Sequence, residues 1–308
     1  MKVCVLGAGS LGSVIGGALA GAGNEVHLVG RATHMDAVNE SGLVLAGSDG
    51  ERAVHPVGHT TPAGVGTCDL VIVLCKSFDT AETMRDASEL VGSGTTVMSL
   101  QNGLGNEDAL CDVVGVEHVI GGKTYVGGML LSPGRVQATI KGKDTVIGEL
   151  DGSVTERVRA IGDAFRAAGM PCTVSSNIMG VIWDKLLVNV ATGAVCGITG
   201  LPYGEMYRQE TLVACASAAV REGMQVAAAA GVKLTYDDPH DVLELARAGL
   251  PESFKPSILQ SLEKHRPTEV GVINGAVVAE GARRGVPTPV NETLTALVRG
   301  IERRQEIA

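Results

Sequence analysis

The apolar positions of this chain follow two different periods, and the change between them divides it near residue 175. In the first part they come as short runs: residues 2–6 (KVCVL), 25–30 (EVHLVG), 69–74 (DLVIVL) and 95–100 (TTVMSL). Such runs of Val, Ile and Leu, bounded by turn residues, predict strands buried on both faces, as in a parallel sheet. Residues 43–60 predict short strands or loops. Residues 118–150 mix β-formers with turn residues, which predicts antiparallel or edge additions to that sheet. Residues 155–168 read as a helix, residues 171–174 give a last strand, and Ser175, Ser176 and Asn177 form a helix-start cluster. Beyond it the strand signal vanishes. Residues 178–198, 206–230, 237–248, 257–264, 269–284 and 291–306 all read as helices. The expectation is an α/β domain over residues 1–175 and an all-α domain over residues 176–308.

The turn after the first strand sharpens the α/β reading. Gly7, Gly9 and Gly12 supply G-x-G-x-x-G inside GAGSLG, and a small-residue helix follows at once. Gly7 permits the bend out of the strand, Gly9 lets backbone approach a pyrophosphate, and Gly12 lets helix and strand pack closely. The helix N-terminus then offers N–H groups and a partial positive charge to phosphates. In a chain with 42 glycines the motif alone would be weak, but its place between strand and helix gives it weight. The N-terminal fold class is therefore a Rossmann-type dinucleotide-binding domain, with Gly7, Ala8, Gly9, Ser10, Leu11 and Gly12 as the pyrophosphate loop.

Two further positions refine the ligand. An Asp or Glu at the end of the second strand would hold a ribose 2′-hydroxyl. That end here carries Gly30 and Arg31, while Glu25 opens the strand and points away from the ligand end. A guanidinium can pair bidentately with a 2′-phosphate, so NADP (as NADPH) is expected over NAD. Lys76 and Asn102 follow two more strands at the carboxyl ends where crevice ligands bind, Lys76 for phosphate or ribose and Asn102 to bridge cofactor and substrate.

Composition narrows the class. A net charge of −9, with 3 Phe, 4 Tyr and 1 Trp and no basic run, argues against nucleic-acid binding. Seven scattered cysteines without a C-x-x-C read as buried thiols of a reducing cytoplasm. The N-terminal stretch does not read as a signal peptide, and no membrane span or metal site is expected. An apolar, Ala-rich α domain leaves room for a homodimer.

The helix from residue 178 carries the candidate chemistry. At 100° per residue, Lys185, Asn189, Thr192 and Cys196 fall within about 60° of one another. Except for Asp184, nearly every other position is apolar, so the helix is expected to be buried with Lys185 on a narrow polar stripe. A buried ammonium is costly unless paired or functional, although a Lys can also lay its stem on the core and snorkel its head to water. Glu269 is another charge in an apolar setting, expected at the start of a helix, and Ser257 sits near another helix start.

GAGSLG, Arg31, QNGLG, WDKLLVN, KPSILQ and TEVGVING occur in this order along the chain. With them the sequence resembles the ketopantoate reductase family (2-dehydropantoate 2-reductases) over essentially its whole length. The resemblance implies a Rossmann domain followed by a helical domain, and NADPH-dependent reduction of a small-molecule 2-keto acid, as in the step from 2-dehydropantoate to pantoate in pantothenate and coenzyme A biosynthesis. By position it implies that Arg31 holds the 2′-phosphate, and that Lys76, Asn102 and the Gly127 backbone contact the cofactor. It implies Lys185 as catalytic acid, Asn102, Asn189 and Ser257 with substrate, and Glu269 touching cofactor ribose while orienting Lys185. Gly193 and Tyr203 stand where the family has amides. The expectation is that Gly193 opens space and Tyr203 adds an aromatic face, suiting a bulkier or more apolar 2-keto acid. A hydroxy-acid dehydrogenase working oxidatively, and a non-catalytic NADP-binding sensor, remain alternatives at this point.

Overall fold

The computed structural model describes residues 1–307, which form two compact units: Met1–Gln101 with Asn106–Ile178, and Asn102–Gly105 with residues 179–307. The first is built on β1 (Lys2–Leu6), α1 (Ser10–Gly21), β2 (Glu25–Val29), α2 (Ala32–Ser41), β3 (Leu43–Gly47), β4 (Gly50–Val54), β5 (Val57–His59) and β6 (Leu70–Val73). It continues with α3 (Thr80–Asp86), β7 (Thr96–Ser99), α4 (Asn106–Val114), β8 (Val119–Thr124), β9 (Gly127–Ser132), β10 (Arg135–Thr139), β11 (Thr145–Glu149), α5 (Glu156–Ala167) and β12 (Cys172–Val174).

An eight-stranded sheet runs β12-β11-β8-β7-β6-β1-β2-β5. From β8 to β5 every pairing is parallel, and β11 joins β8 antiparallel. Along β1 and β6 the side chains alternate between two cores, because successive residues of a strand face opposite ways. Val3, Val5, Leu70 and Ile72 enter one cluster with α1 and α5, while Cys4, Leu6, Val71 and Val73 enter another with α3 and α4. Buried on both faces, these strands have no polar alternation to show, which is why they read as continuous apolar runs.

The 118–150 stretch departs from its expectation. Only β11 is an antiparallel addition to the main sheet. β8 is a parallel interior strand with all six residues buried. The hairpin β9–β10 leaves for a separate four-stranded sheet, β4-β3-β10-β9. Between the two sheets lies α1, buried continuously from Gly12 to Leu19. Its glycines make the fit: a Cβ on Gly16 would stand 2.4 Å from Leu28, and one on Gly17 would stand 2.9 Å from Leu43 and Leu45.

The second unit is all helix: α6 (Ile178–Thr199, its first residue grouped with the first unit), α7 (Tyr203–Tyr207), α8 (Glu210–Ala229), α9 (Pro239–Arg247), α10 (Ser257–Glu263), α11 (Asn274–Arg284) and α12 (Pro289–Glu306). The single helix expected over 206–230 is two. Tyr203 N–H and Gly204 N–H donate to the carbonyls of Phe254 and Glu252, fixing α7 behind Pro202, and Gln209 is extended before α8 begins. With mean hydropathy 1.5 over its most apolar window, α6 is long and apolar enough to cross a membrane, but 72% of that window is buried inside the protein. It is the core helix of its unit, contributing Leu186, Leu187, Val190, Ala191 and Ala194 to the cluster. All seven cysteines are free thiols.

Candidate active site

In the first unit three of the predicted cofactor positions lie at the carboxyl ends of adjacent interior strands. Gly7 follows β1, Arg31 follows β2 and Lys76 follows β6, and these three strands are neighbours. Gly7 has φ +101°, and a Cβ there would lie 2.5 Å from the Cys75 N, so only glycine makes this turn. The Gly7 and Ala8 N–H groups both donate to the Val29 carbonyl, joining the loop to the end of β2. Gly12 would place a Cβ 2.3 Å from the Gly7 carbonyl oxygen, whereas one on Gly9 would meet nothing within 4 Å. The loop is thus tight behind and open in front. No side chain caps α1, so its first N–H groups face that open space. Gly12→Ala is expected to force α1 off β1, costing about 1–3 kcal/mol. A dinucleotide titration should then show affinity down at least tenfold.

Not every loop residue offers its side chain. Ser10 Oγ accepts from Leu130 N–H at 3.0 Å, which ties the loop to β9 and leaves the hydroxyl proton for another partner, and Ala8 is 5% exposed. Leu11 packs on the core. Arg31 is exposed at the start of α2, and Lys76 is exposed after β6. Gly127 begins β9, paired with Thr139.

The turn after β6 and the start of α4 are braced by a residue that the sequence does not single out. Gln101 Nε2 donates to the Cys75 carbonyl and to Thr80 Oγ1, each at 2.9 Å, and Gln101 Oε1 accepts from Ser99 Oγ at 3.0 Å. Thr80 Oγ1 also reaches Asn106 Oδ1. Lys123 is a second such residue. It is 6% exposed near the end of β8, with Nζ 3.4 Å above the centre of the Tyr125 ring. Its one signal in the sequence is a lysine inside an otherwise apolar strand.

In the helical unit, α6 divides the predicted stripe. Lys185 and Asn189, one turn apart, keep part of their surface accessible, whereas Thr192 and Cys196 are fully inside. Protein packed round the Lys185 ammonium lowers its pKa from 10.5 to about 8, and Glu269 opposes the shift by favouring the charged form. The structure therefore brings into electrostatic contact two charges that spacing alone does not connect.

Glu269 is not at a helix start as expected. It caps a 3₁₀ turn, Val270–Val272, and α11 begins at Asn274. Thr268 N–H donates to Glu302 at 2.6 Å and holds the turn from below. Asn102 belongs to the same unit through its loop, because Leu104 N–H donates to the Val272 carbonyl at 3.0 Å. A Cβ on Gly103 would meet that carbonyl oxygen at 2.4 Å, so the N-G dipeptide is what lets the Asn102 loop sit on the turn that Glu269 begins.

The expected widening at Gly193 and Tyr203 does not occur. A Cβ on Gly193 would meet Ile258 at 3.1 Å and one on Gly197 would meet it at 2.7 Å. The small residues let α10 cross α6 closely, and Ile258 fills the room, with Ser257 exposed beside it at the first position of α10. Tyr203 is 6% exposed and shares a 2.8 Å hydrogen bond with Thr192 Oγ1. Its ring meets Phe254 and Tyr207 edge-on, and burial raises its pKa to about 12. Tyr203 is a core phenol, and it has taken the Thr192 position of the stripe with it.

A doubly wound sheet with a glycine-rich first turn, followed by a helical unit with a carboxylate-backed lysine, defines a two-domain oxidoreductase of the Rossmann class. Residues 3–152 match the family Ketopantoate reductase PanE/ApbA, and residues 177–302 match its C-terminal domain. The chain belongs to this family. A 2-dehydropantoate 2-reductase of Halobacterium salinarum is 36% identical over 307 residues, covering 98% of this chain and 99% of the relative. The crystal structure of a PanE/ApbA family ketopantoate reductase from Ralstonia eutropha superposes with TM-score 0.90 at 34% identity, covering 99% of this chain and 100% of that one. A D-mandelate dehydrogenase solved with NADH and anilino(oxo)acetate superposes with TM-score 0.89 at 28% identity, covering 99% and 100%.

Proposed function

We propose that this protein reduces 2-dehydropantoate to pantoate with NADPH, as its named relatives imply. The observation that carries the reading is Lys185: a partly accessible lysine on a core helix, with its pKa brought to about 8 and Glu269 beside it. An amine tuned toward neutral pH is suited to give up a proton during turnover, where an ordinary surface lysine is not.

The first unit suits a dinucleotide: the open space before Gly9, the uncapped start of α1 and the exposed guanidinium of Arg31 are the donors a pyrophosphate and a 2′-phosphate need. Lys76 and the Gly127 backbone would complete the binding, and Asn102 would reach both cofactor and substrate. The chemistry a bound NADPH supplies is a hydride for the keto carbon. Lys185 donates a hydrogen bond to the keto oxygen, stabilises the negative charge that grows there and delivers the proton that completes the hydroxyl. Glu269 keeps Lys185 charged and directed. Asn189 and Ser257 hold the carboxylate and hydroxyl of the substrate, so one face of the carbonyl is presented. Closure of the Gly193 position by Ile258 supports a compact aliphatic keto acid over a bulky one. Seven free thiols support a reducing cytoplasmic setting.

The test is NADPH oxidation with 2-dehydropantoate against a panel of larger aliphatic and aromatic 2-keto acids. Preference for 2-dehydropantoate supports the reading, and turnover only on aromatic acids sinks it. In the same assay Arg31→Ala removes charge-assisted hydrogen bonds of about 1.5–3 kcal/mol, so KM for NADPH should rise roughly 10- to 100-fold while KM for NADH hardly moves.

A further inference from the structure

A hydrogen-bond chain in the first unit runs through a buried histidine to which the proposed mechanism gives no role. His34, in the first turn of α2, is 5% exposed, and each ring nitrogen has a partner on a different element. Gly134 N–H, in the β9–β10 turn, donates to Nδ1 at 2.9 Å. A backbone N–H can only donate, so Nδ1 carries no proton and the neutral ring bears its hydrogen on Nε2. Nε2 stands 2.9 Å from Ser13 Oγ in α1 and donates to it, and Ser13 Oγ in turn donates to the Ala8 carbonyl at 3.4 Å. Burial, helped by the nearby Arg31 charge, lowers the His34 pKa, which keeps the ring in this neutral form.

The chain ends on three segments, each bearing a cofactor residue. Ala8 lies within the glycine loop. His34 N–H donates to the Arg31 carbonyl at 3.0 Å, so the ring is one helical turn from the guanidinium-bearing residue. Gly134 closes the hairpin whose first strand begins at Gly127. At φ +71° this turn packs on α2, where a Cβ would meet the Ala37 Cβ at 3.3 Å. The His34 ring thus joins the glycine loop, the start of α2 and the β9–β10 turn through one side chain.

We propose that His34 is a positioning residue that fixes Arg31 relative to the pyrophosphate loop and so sets the preference for a 2′-phosphorylated dinucleotide. The proposal rests on the reading of Arg31 as the 2′-phosphate ligand. Without the ring, α1 and α2 keep their apolar packing but lose this hydrogen-bonded tie between them. A guanidinium displaced by a fraction of an ångström then loses its fork geometry on the phosphate, whereas pyrophosphate and ribose contacts tolerate it.

The experiment measures dissociation constants for NADPH and NADH, with melting temperatures, on the full chain and four variants. His34→Ala should weaken NADPH binding at least tenfold and cut the NADPH-over-NADH preference at least fivefold. His34→Gln, which keeps one acceptor and one donor, should recover most of both. A merely structural histidine would lower the melting temperature and weaken both cofactors in proportion, and an unchanged preference overturns the proposal. Ser13→Ala severs only the link to α1 and carries the same test where His34→Ala does not fold. Arg31→Ala separates the two layers. A preference it leaves intact removes the Arg31 reading and this inference with it. A preference that collapses in Arg31→Ala but survives both His34→Ala and Ser13→Ala removes only the role of His34.

Discussion

Lys185→Ala should leave NADPH bound and stop turnover. Removing a positioned general acid costs about 10²–10⁴-fold, and in the proposed mechanism Lys185 also stabilises the developing negative charge, which is usually the larger contribution. We therefore expect kcat with 2-dehydropantoate to fall by roughly 10³-fold or more, with NADPH affinity within about twofold of the parent. Lys185 belongs to the helical unit, whereas the glycine loop and Arg31 belong to the first. The substitution is not expected to unfold the chain. A lysine whose pKa is lowered from 10.5 to about 8 is held in the folded state at a cost, since its charged form is disfavoured there. Between those two pH values the unfolded chain binds more protons than the folded one, so this group's contribution to stability rises with pH. Below pH 8 it is a net penalty, which Ala removes. A melting temperature at pH 7 that is equal or higher in the variant, beside lost activity, identifies a functional lysine. Loss of both together would mark Lys185 as structural.

Much of this site is legible in the amino-acid sequence, because its signals are local. GAGSLG after a strand and before a helix specifies a turn by sterics alone: Gly7 and Gly12 have backbone atoms within 2.5 Å of where a Cβ would stand. The Lys185–Asn189 spacing is equally a matter of helical period. Long-range closure is not legible. Alternation in residues 118–150 predicts strands but not which sheet receives them: β8 joins the main sheet, while the β9–β10 hairpin joins the sheet that covers the second side of α1. The sequence around Glu269 carries a helical pattern, yet the first turn is 3₁₀ because Val272 turns its carbonyl to Leu104, some 168 positions earlier in the chain. Gly193 reads as vacant space because its occupant, Ile258, lies far along the chain. His34 gives no signal at all, since both of its partners are set by tertiary contact.

Glu269→Gln is the sharper test of how the lysine is tuned. Two influences act on Lys185 in opposite directions: burial lowers its pKa, and the Glu269 charge raises it. With the carboxylate gone only burial is left, and an opposite charge at close range is commonly worth about 1–3 pKa units. In the proposed mechanism the parent enzyme needs the ammonium form, so the rate of reduction should be flat at low pH and decline as pH rises through about 8. In Glu269→Gln that descending limb should move down by at least about one unit, toward pH 7 or below. At pH 8 half of the parent's lysines carry a proton, whereas roughly a tenth or fewer would in the variant. Titration alone then takes away about fivefold, and lost aim on the keto oxygen brings the total deficit near 10²-fold. The two contributions separate on the pH axis. The deficit should shrink as pH falls toward 6, where both proteins are protonated, and what remains there is positioning. A limb that stays near pH 8 in Glu269→Gln would mean that Glu269 does not tune Lys185, and a parent rate that rises through pH 8 would exclude Lys185 as the acid.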